Sequence, residues 1–126
     1  MTKYKSDNFF KSLFNAIKGL KLAFFSQRNF QIELIIAIIV VSFACFCKFS
    51  ATHFCILFIM ITMVLSAELI NSVIEFSLDA IYKNNYSKLV EMAKDISSGT
   101  VLLISITSVI VGIFLFYPYI LKLVQP

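Results

Sequence analysis

The chain has 126 residues, 60% of them hydrophobic and only 14% charged, with a mean hydropathy of +0.90. That excludes a soluble domain of this size and implies an integral membrane protein with room for three or four spans and no separate soluble domain. The net charge of +4 is no nucleic-acid signature, because the basic residues are sorted by position along the chain.

Lys3, Lys5, Lys11, Lys18, Lys21 and Arg28 precede the first apolar run, and Lys83, Lys88 and Lys94 lie between the second and the third. Only Lys48 and Lys122 fall on the other side, so the positive-inside rule places the N-terminus and the 80–95 connection in the cytoplasm. A signal peptide is not expected, since the first thirty residues hold six basic residues and no uninterrupted apolar core.

Residues 6–25 predict an amphipathic helix. Phe9, Phe10, Leu13, Phe14, Ile17, Leu20 and Phe24 recur at helical spacing, Lys11, Asn15, Lys18 and Lys21 fill the rest, and Ser6 or Asp7 can cap the start. A moderately apolar helix with a basic face is expected to lie in the headgroup plane or to shield the rim of the bundle. After a break at Arg28-Asn29 the first span is expected over 30–49, with Glu33 one turn inside it and therefore facing protein or the interface. Lys48–His53 turns the chain on the outer side, and His53 there reads as an interfacial residue. Cys45, Cys47 and Cys55 lie in apolar surroundings without metal-ligand spacing and read as plain thiols.

The second span is expected over 54–81, about 42 Å of helix, which is longer than a ~30 Å hydrocarbon core. Its cytoplasmic half carries A-E-L-I-N-S-V-I-E-F-S-L-D. At about 100° per residue, Glu68, Asn71, Ser72, Glu75 and Asp79 form one polar stripe roughly 100° wide, while Leu69, Ile70, Val73, Ile74, Phe76 and Leu78 are apolar. Acids at membrane depth are costly and mark function. Residues 82–95 form a polar connection with an Asn84-Asn85 turn signal. A helix resumes by Leu89 and feeds a third span over 96–121. Lys94 and Asp95 stand at its entrance, the small residues Ser97 to Thr100 follow, and Tyr117-Pro118-Tyr119 closes it as an interfacial belt.

The chain lacks a phosphate-binding G-x-x-x-x-G-K-[ST] loop, zinc-ligand spacing, a nucleophile elbow and a histidine for a triad. Carboxylates, an asparagine, a lysine and small hydroxyls remain. Of Glu68 and Glu75, about 10 Å apart along one face, the deeper suits a general base and the shallower, beside Asn71 and Asp79, offers oxygens to Mg²⁺. Lys94 can neutralise phosphate charge. Base, metal and cation are the parts of phosphoryl transfer. The residues alone leave three competitors open: a proton or cation pathway, a polar seam between helices, and a purely structural membrane subunit.

The run from Glu68 to Asp79, followed by Ala93-Lys94-Asp95 and small residues, resembles the signature of the prokaryotic diacylglycerol kinase family. The resemblance extends through Lys18-Gly19-Leu20 and Arg28-Asn29-Phe30, so it covers nearly the whole chain. It implies an all-α inner-membrane lipid kinase, one domain over 1–126, with three spans and an interfacial helix per subunit, assembled as a homotrimer with sites between subunits. It implies transfer of the γ-phosphoryl group of Mg-ATP to a lipid alcohol, with Glu68 as base and Glu75 as metal ligand. Asn71, Glu75, Asp79, Tyr86, Lys94 and Asp95 fall on nucleotide positions, and Lys18, Glu33, Glu68 and Ser98 on the lipid side. Three departures stand out. Gln27 replaces a glutamate that joins the nucleotide and metal site, Val73 replaces a small residue, and Asn8 stands where some relatives carry arginine. Arg28-Asn29-Phe30 leans towards relatives that phosphorylate undecaprenol, and Glu33 towards those that phosphorylate diacylglycerol, which is the expected acceptor.

Overall fold

The computed structural model describes residues 8–83, 85 and 87–125; Tyr86 and the capping residues Ser6 and Asp7 lie outside that set. Four helices follow in order: α1 (Phe9–Ser26), α2 (Arg28–Phe46), α3 (Ala51–Tyr82) and α4 (Lys88–Val124). The last three are long and apolar enough to cross a membrane. The chain is an all-α, multi-pass membrane protein.

The boundaries differ from the sequence reading in three places. The first span is α2, which starts at Arg28 and stops at Phe46, because Lys48 takes a left-handed conformation (φ 54°) and ends the helix. There the Phe49 N–H bonds to the Ala44 carbonyl at 3.1 Å and the Lys48 N–H to the Cys45 carbonyl at 3.0 Å, closing a Schellman motif. The outer turn is then only residues 47–50, since Ser50 caps α3 by accepting the His53 N–H at 3.4 Å. The third span is part of one continuous helix that begins at Lys88 and passes Pro118 to end at Val124. Pro118 is tolerated because only one bond, to the carbonyl one turn back, is lost near the helix end.

At 1.5 Å per residue, α2 is about 28 Å long and matches a bilayer core, whereas α3 and α4 reach about 48 and 56 Å. Tethered by short connections, the helices run antiparallel. The surplus of α3 and α4 therefore projects together on the side that carries the acid stripe.

The apolar core sits at the opposite end. Ala44, Cys47, Phe49, Leu57 and Leu115 are buried there. Phe49 stacks on Tyr119 (ring centroids 4.5 Å apart) and tilts against Phe116 (4.6 Å). The Tyr119 hydroxyl accepts the Ser50 N–H at 3.1 Å, and Ser50 Oγ lies 2.6 Å from His53 Nδ1. Aromatic pairs of this kind add about 0.5–1.5 kcal/mol each beyond area burial, so the outer ends of α2, α3 and α4 are clasped. Cys47 acts as a small hydrophobe in this core, and Cys45 and Cys55 are exposed free thiols. At the other end α1 buries no residue. It is tied to α2 by Gln31 Nε2, which donates to the Phe24 carbonyl at 2.7 Å.

A left-handed lysine pays a conformational penalty that glycine avoids, about 1 kcal/mol. Lys48→Gly is therefore expected to raise the thermal midpoint of the detergent-solubilised protein, and Lys48→Val to lower it. Identical midpoints for all three would show that the turn conformation contributes nothing to stability.

Candidate active site at the membrane boundary

Four polar side chains are buried among the described residues: Glu68, Asn71 and Ser72 on α3, and Ser97 on α4. The first three form the inner edge of the acid stripe, so the face read from periodicity is the face that α3 turns towards its neighbours. Two helices flank it and supply different chemistry.

The first turn of α2 supplies amides. The Asn29 side-chain amide lies near the Glu68 carboxylate. One turn further along α3, Ser72 Oγ lies 3.3 Å from Gln27 Oε1 and 2.9 Å from the Glu68 main-chain carbonyl. A hydroxyl has one proton, so the shorter bond to the carbonyl leaves the Gln27 oxygen with free lone pairs. Glu33, one turn deeper on α2, brings a second carboxyl group within electrostatic reach of Glu68, and Glu75 brings a third.

The other flank is α4. Ser97 Oγ donates to Asn71 Oδ1 at 2.6 Å, and Asn71 Nδ2 donates to Glu75 Oε1 at 3.3 Å. The order is dictated by Glu75: an ionised carboxylate only accepts, so the amide nitrogen must face it and the amide oxygen must face Ser97. Nearer the cytoplasmic tip, Lys94 Nζ pairs with Asp79 Oδ1 at 2.5 Å.

A groove of about 730 Å³ runs between α2, α3 and α4, lined by Val64, Leu65, Ser108, Phe116 and Tyr117 among others, with Glu33 at its cytoplasmic end. Glu33 Oε2 is the one buried side-chain polar atom without a hydrogen-bond partner among the described residues. A second groove of about 670 Å³ lies along α3 and α4, where Thr62, Ser66 and Thr100 accompany Asn71 and Ser97.

The structure thus brings Gln27, Glu33, Glu68, Asn71 and Glu75 into one cluster, and joins Asp79 to Lys94 just outside it. Lys94 is paired across helices and not with its neighbour Asp95, which is exposed, as are Ser98 on α4 and Lys18 on α1. Sequence reasoning passed over Asn29 and the bonding role of Ser97. Asn29 had a readable signal, since it precedes Glu33 by four residues and shares its helix face.

What the cluster offers is a buried carboxylate, Glu68, near a second, Glu33, that lines an apolar groove, with amides and a cation nearby. Among the described residues no group of three His, Cys, Asp or Glu side chains is placed to hold a metal by itself. Glu75 and Gln27 offer one carboxylate and one neutral oxygen. That suits an ion carried in on a phosphate better than a resident one.

Comparison with known proteins bears on the chemistry. The family model for prokaryotic diacylglycerol kinase matches residues 14–116. The chain belongs to that family. It is similar to a diacylglycerol kinase of Synechocystis, with 34% identity over 105 residues, covering 83% of this chain and 60% of that protein. It is also similar to the undecaprenol kinase of Bacillus subtilis, with 31% identity over 112 residues, covering 89% of this chain and 90% of that protein. The family match takes in the whole polar cluster, all of the smaller groove and most of the larger one.

Ser97→Ala leaves Asn71 Oδ1 buried without a donor. Polar contacts between membrane helices are typically worth about 1 kcal/mol. The variant is expected to unfold at lower denaturant in mixed micelles, with Ser97→Thr close to wild type. A Ser97→Ala protein as stable as wild type would show that the α3–α4 bond adds nothing.

Proposed function

We propose that this protein is an ATP- and Mg²⁺-dependent lipid kinase that phosphorylates the hydroxyl of diacylglycerol, giving phosphatidic acid at the cytoplasmic face of the inner membrane. The observation that carries this reading is Glu68: a buried carboxylate within electrostatic reach of Glu33, which lines an apolar groove, in a chain of a lipid-kinase family. The lysine distribution supports a cytoplasmic N-terminus, and so places the projecting ends of α3 and α4 where ATP is available.

In this mechanism the acyl chains occupy the groove and the hydroxyl comes to Glu68, with the free oxygen of Glu33 on the acceptor side. Glu68 takes the hydroxyl proton as the lipid oxygen forms its bond to the γ-phosphorus. The bond from that phosphorus to the bridging oxygen breaks, and ADP leaves with the electron pair. Glu68 then returns its proton to water. Asn71 orients Glu75, and Lys94, released from Asp79 or shared with it, meets phosphate charge. Asp95 and Tyr86 belong to the nucleotide side, and Lys18 and Ser98 to the lipid side. Mg²⁺, held by Glu75 with Gln27 Oε1 and the nucleotide phosphates, would neutralise charge that develops on those oxygens.

The working form in this proposal is a homotrimer with sites completed between subunits. No large side chain of the single chain is fully buried among the described residues, and the groove beside Thr62, Ser66 and Thr100 leaves polar side chains towards the lipid. Small and hydroxyl residues of that kind are what close helix contact uses.

One observation favours undecaprenol as the alternative acceptor: the undecaprenol kinase is matched over 90% of its length. Both alcohols present a hydroxyl on an apolar body, and Glu33 favours the one with further oxygens to recognise.

Purified protein given ATP, Mg²⁺ and each lipid alcohol is expected to phosphorylate diacylglycerol faster than undecaprenol. Glu68→Gln should lower kcat by about 10²–10⁴-fold with little change in KM for ATP. No phosphorylated product from either alcohol, or ATP-independent cation flux in liposomes lost in Glu75→Gln, would overturn the kinase. A preference for undecaprenol would overturn the acceptor alone.

Gln27→Glu supplies a second carboxylate and is expected to lower the Mg²⁺ concentration needed for half-maximal rate. An unchanged Mg²⁺ requirement would remove Gln27 from the metal site.

A further inference from the structure

We propose that Ser97 on α4 is a positioning residue for Glu75: its hydroxyl fixes the Asn71 amide, and that amide holds the Glu75 carboxylate ready for the metal that the nucleotide carries. The inference rests on the proposed reading of Glu75 as the metal ligand.

The usual course for a hydroxyl in these helices is to bond to its own backbone. Ser42, Ser72, Thr100 and Thr107 each donate to the carbonyl four residues back, and Ser108 to the carbonyl three back, at 2.8–3.1 Å. Ser97 sends its proton across to α3 instead, and its 2.6 Å bond to Asn71 Oδ1 is shorter than any of these. Both residues are buried, with 8% and 6% of their surface exposed, so little water competes for the bond.

The bond is the first of two in sequence. Asn71 Nδ2 donates to Glu75 Oε1 at 3.3 Å, and among the described residues it is the side-chain donor that reaches Glu75. An amide is planar, so a donor that fixes Oδ1 also fixes the direction of Nδ2. The 3.3 Å bond is long and holds that direction weakly; the 2.6 Å bond sets it. Without a donor at position 97, Oδ1 is left buried and unpaired, and turning towards another donor takes Nδ2 off the carboxylate. The other hydroxyl on the stripe, Ser72, is committed to the Glu68 carbonyl and cannot take over.

Glu75 lies four residues from Asn71 and four from Asp79 on one stripe. The α4 helix grips that stripe on both sides of it, with Ser97 at Asn71 and Lys94 at Asp79. The Lys94–Asp79 pair is open to solvent, which screens it, so the buried bond is the firmer of the two.

The full-length protein is assayed in lipid vesicles with Mg-ATP and the accepted lipid alcohol, at a temperature where circular dichroism shows each variant folded. Binding of the Mn²⁺ complex of a non-hydrolysable ATP analogue is read separately by electron paramagnetic resonance. Ser97→Ala is expected to weaken that binding about fivefold and to raise KM for Mg-ATP by a similar factor, with KM for the lipid within about twofold. Ser97→Thr keeps the hydroxyl and is expected within about twofold of wild type in both measurements. In an Asn71→Ala background, Ser97→Ala is expected to change Mn²⁺–nucleotide binding by less than about twofold, because two residues acting through one group are not additive. Binding as tight in Ser97→Ala as in wild type overturns the inference alone. So does an equal loss in Ser97→Ala and Ser97→Thr, which would assign the effect to packing, or a full further loss in the Asn71→Ala background. A wild type that makes no phosphorylated lipid overturns the kinase reading and this inference with it.

Discussion

A polar group carried to membrane depth has no water to bond with, so its partners must come from the protein, and that condition governs how these helices meet. Glu68, Asn71 and Ser72 form a continuous edge along α3 that a single neighbour cannot satisfy. Amides arrive from the first turn of α2, and a hydroxyl arrives from α4. Because a helix turns by about 100° per residue, a one-residue slip of either neighbour would carry its donors off the stripe. The Ser97–Asn71 bond therefore fixes the rotation and register of α4 against α3, which apolar contact between lipid-like surfaces would leave loose.

The outer clasp serves the same end from a distance. The connection between α2 and α3 is four residues long, bounded by a Schellman motif and a serine cap, and Phe49 and Tyr119 lock it to α4. With the outer ends pinned, the lengths of the helices decide what emerges at the other side. There α3 and α4 outrun the bilayer together and carry Asp79 and Lys94 beyond the stripe. The apolar groove links the two ends, so an acyl chain lying in it would direct its polar head towards Glu33 and Glu68.

Most of this organisation was legible in the sequence. The number of spans, the amphipathic first helix and the inward face of α3 follow from hydropathy and a 3.6-residue period, which are properties of one segment at a time. The pairings were not legible in the same way. That Lys94 joins Asp79 and not Asp95, or that Ser97 bonds Asn71, depends on the angle between two helices, and no single-segment periodicity contains that angle. The outer boundaries were misplaced for a local reason: Ser50 is an ordinary capping residue, but a lysine in the left-handed region is not a signal that composition gives. Asn29 was missed because it was read as part of a break, when it lies in the first turn of α2.

The residue at position 27 shows how the two demands on the cluster trade against each other. A second carboxylate beside Glu75 would grip a divalent ion more firmly, yet it would add a fourth acid to Glu33, Glu68 and Glu75 at a boundary where charge is poorly screened. With Gln27, Asn29 and Asn71 in place, three carboxyls are interleaved with three amides. Asn71 donates to Glu75, Asn29 lies near Glu68, and Gln27 keeps its oxygen available. On the kinase reading proposed above, a metal here would bind chiefly through what the nucleotide brings, since Gln27 offers only a neutral oxygen beside Glu75.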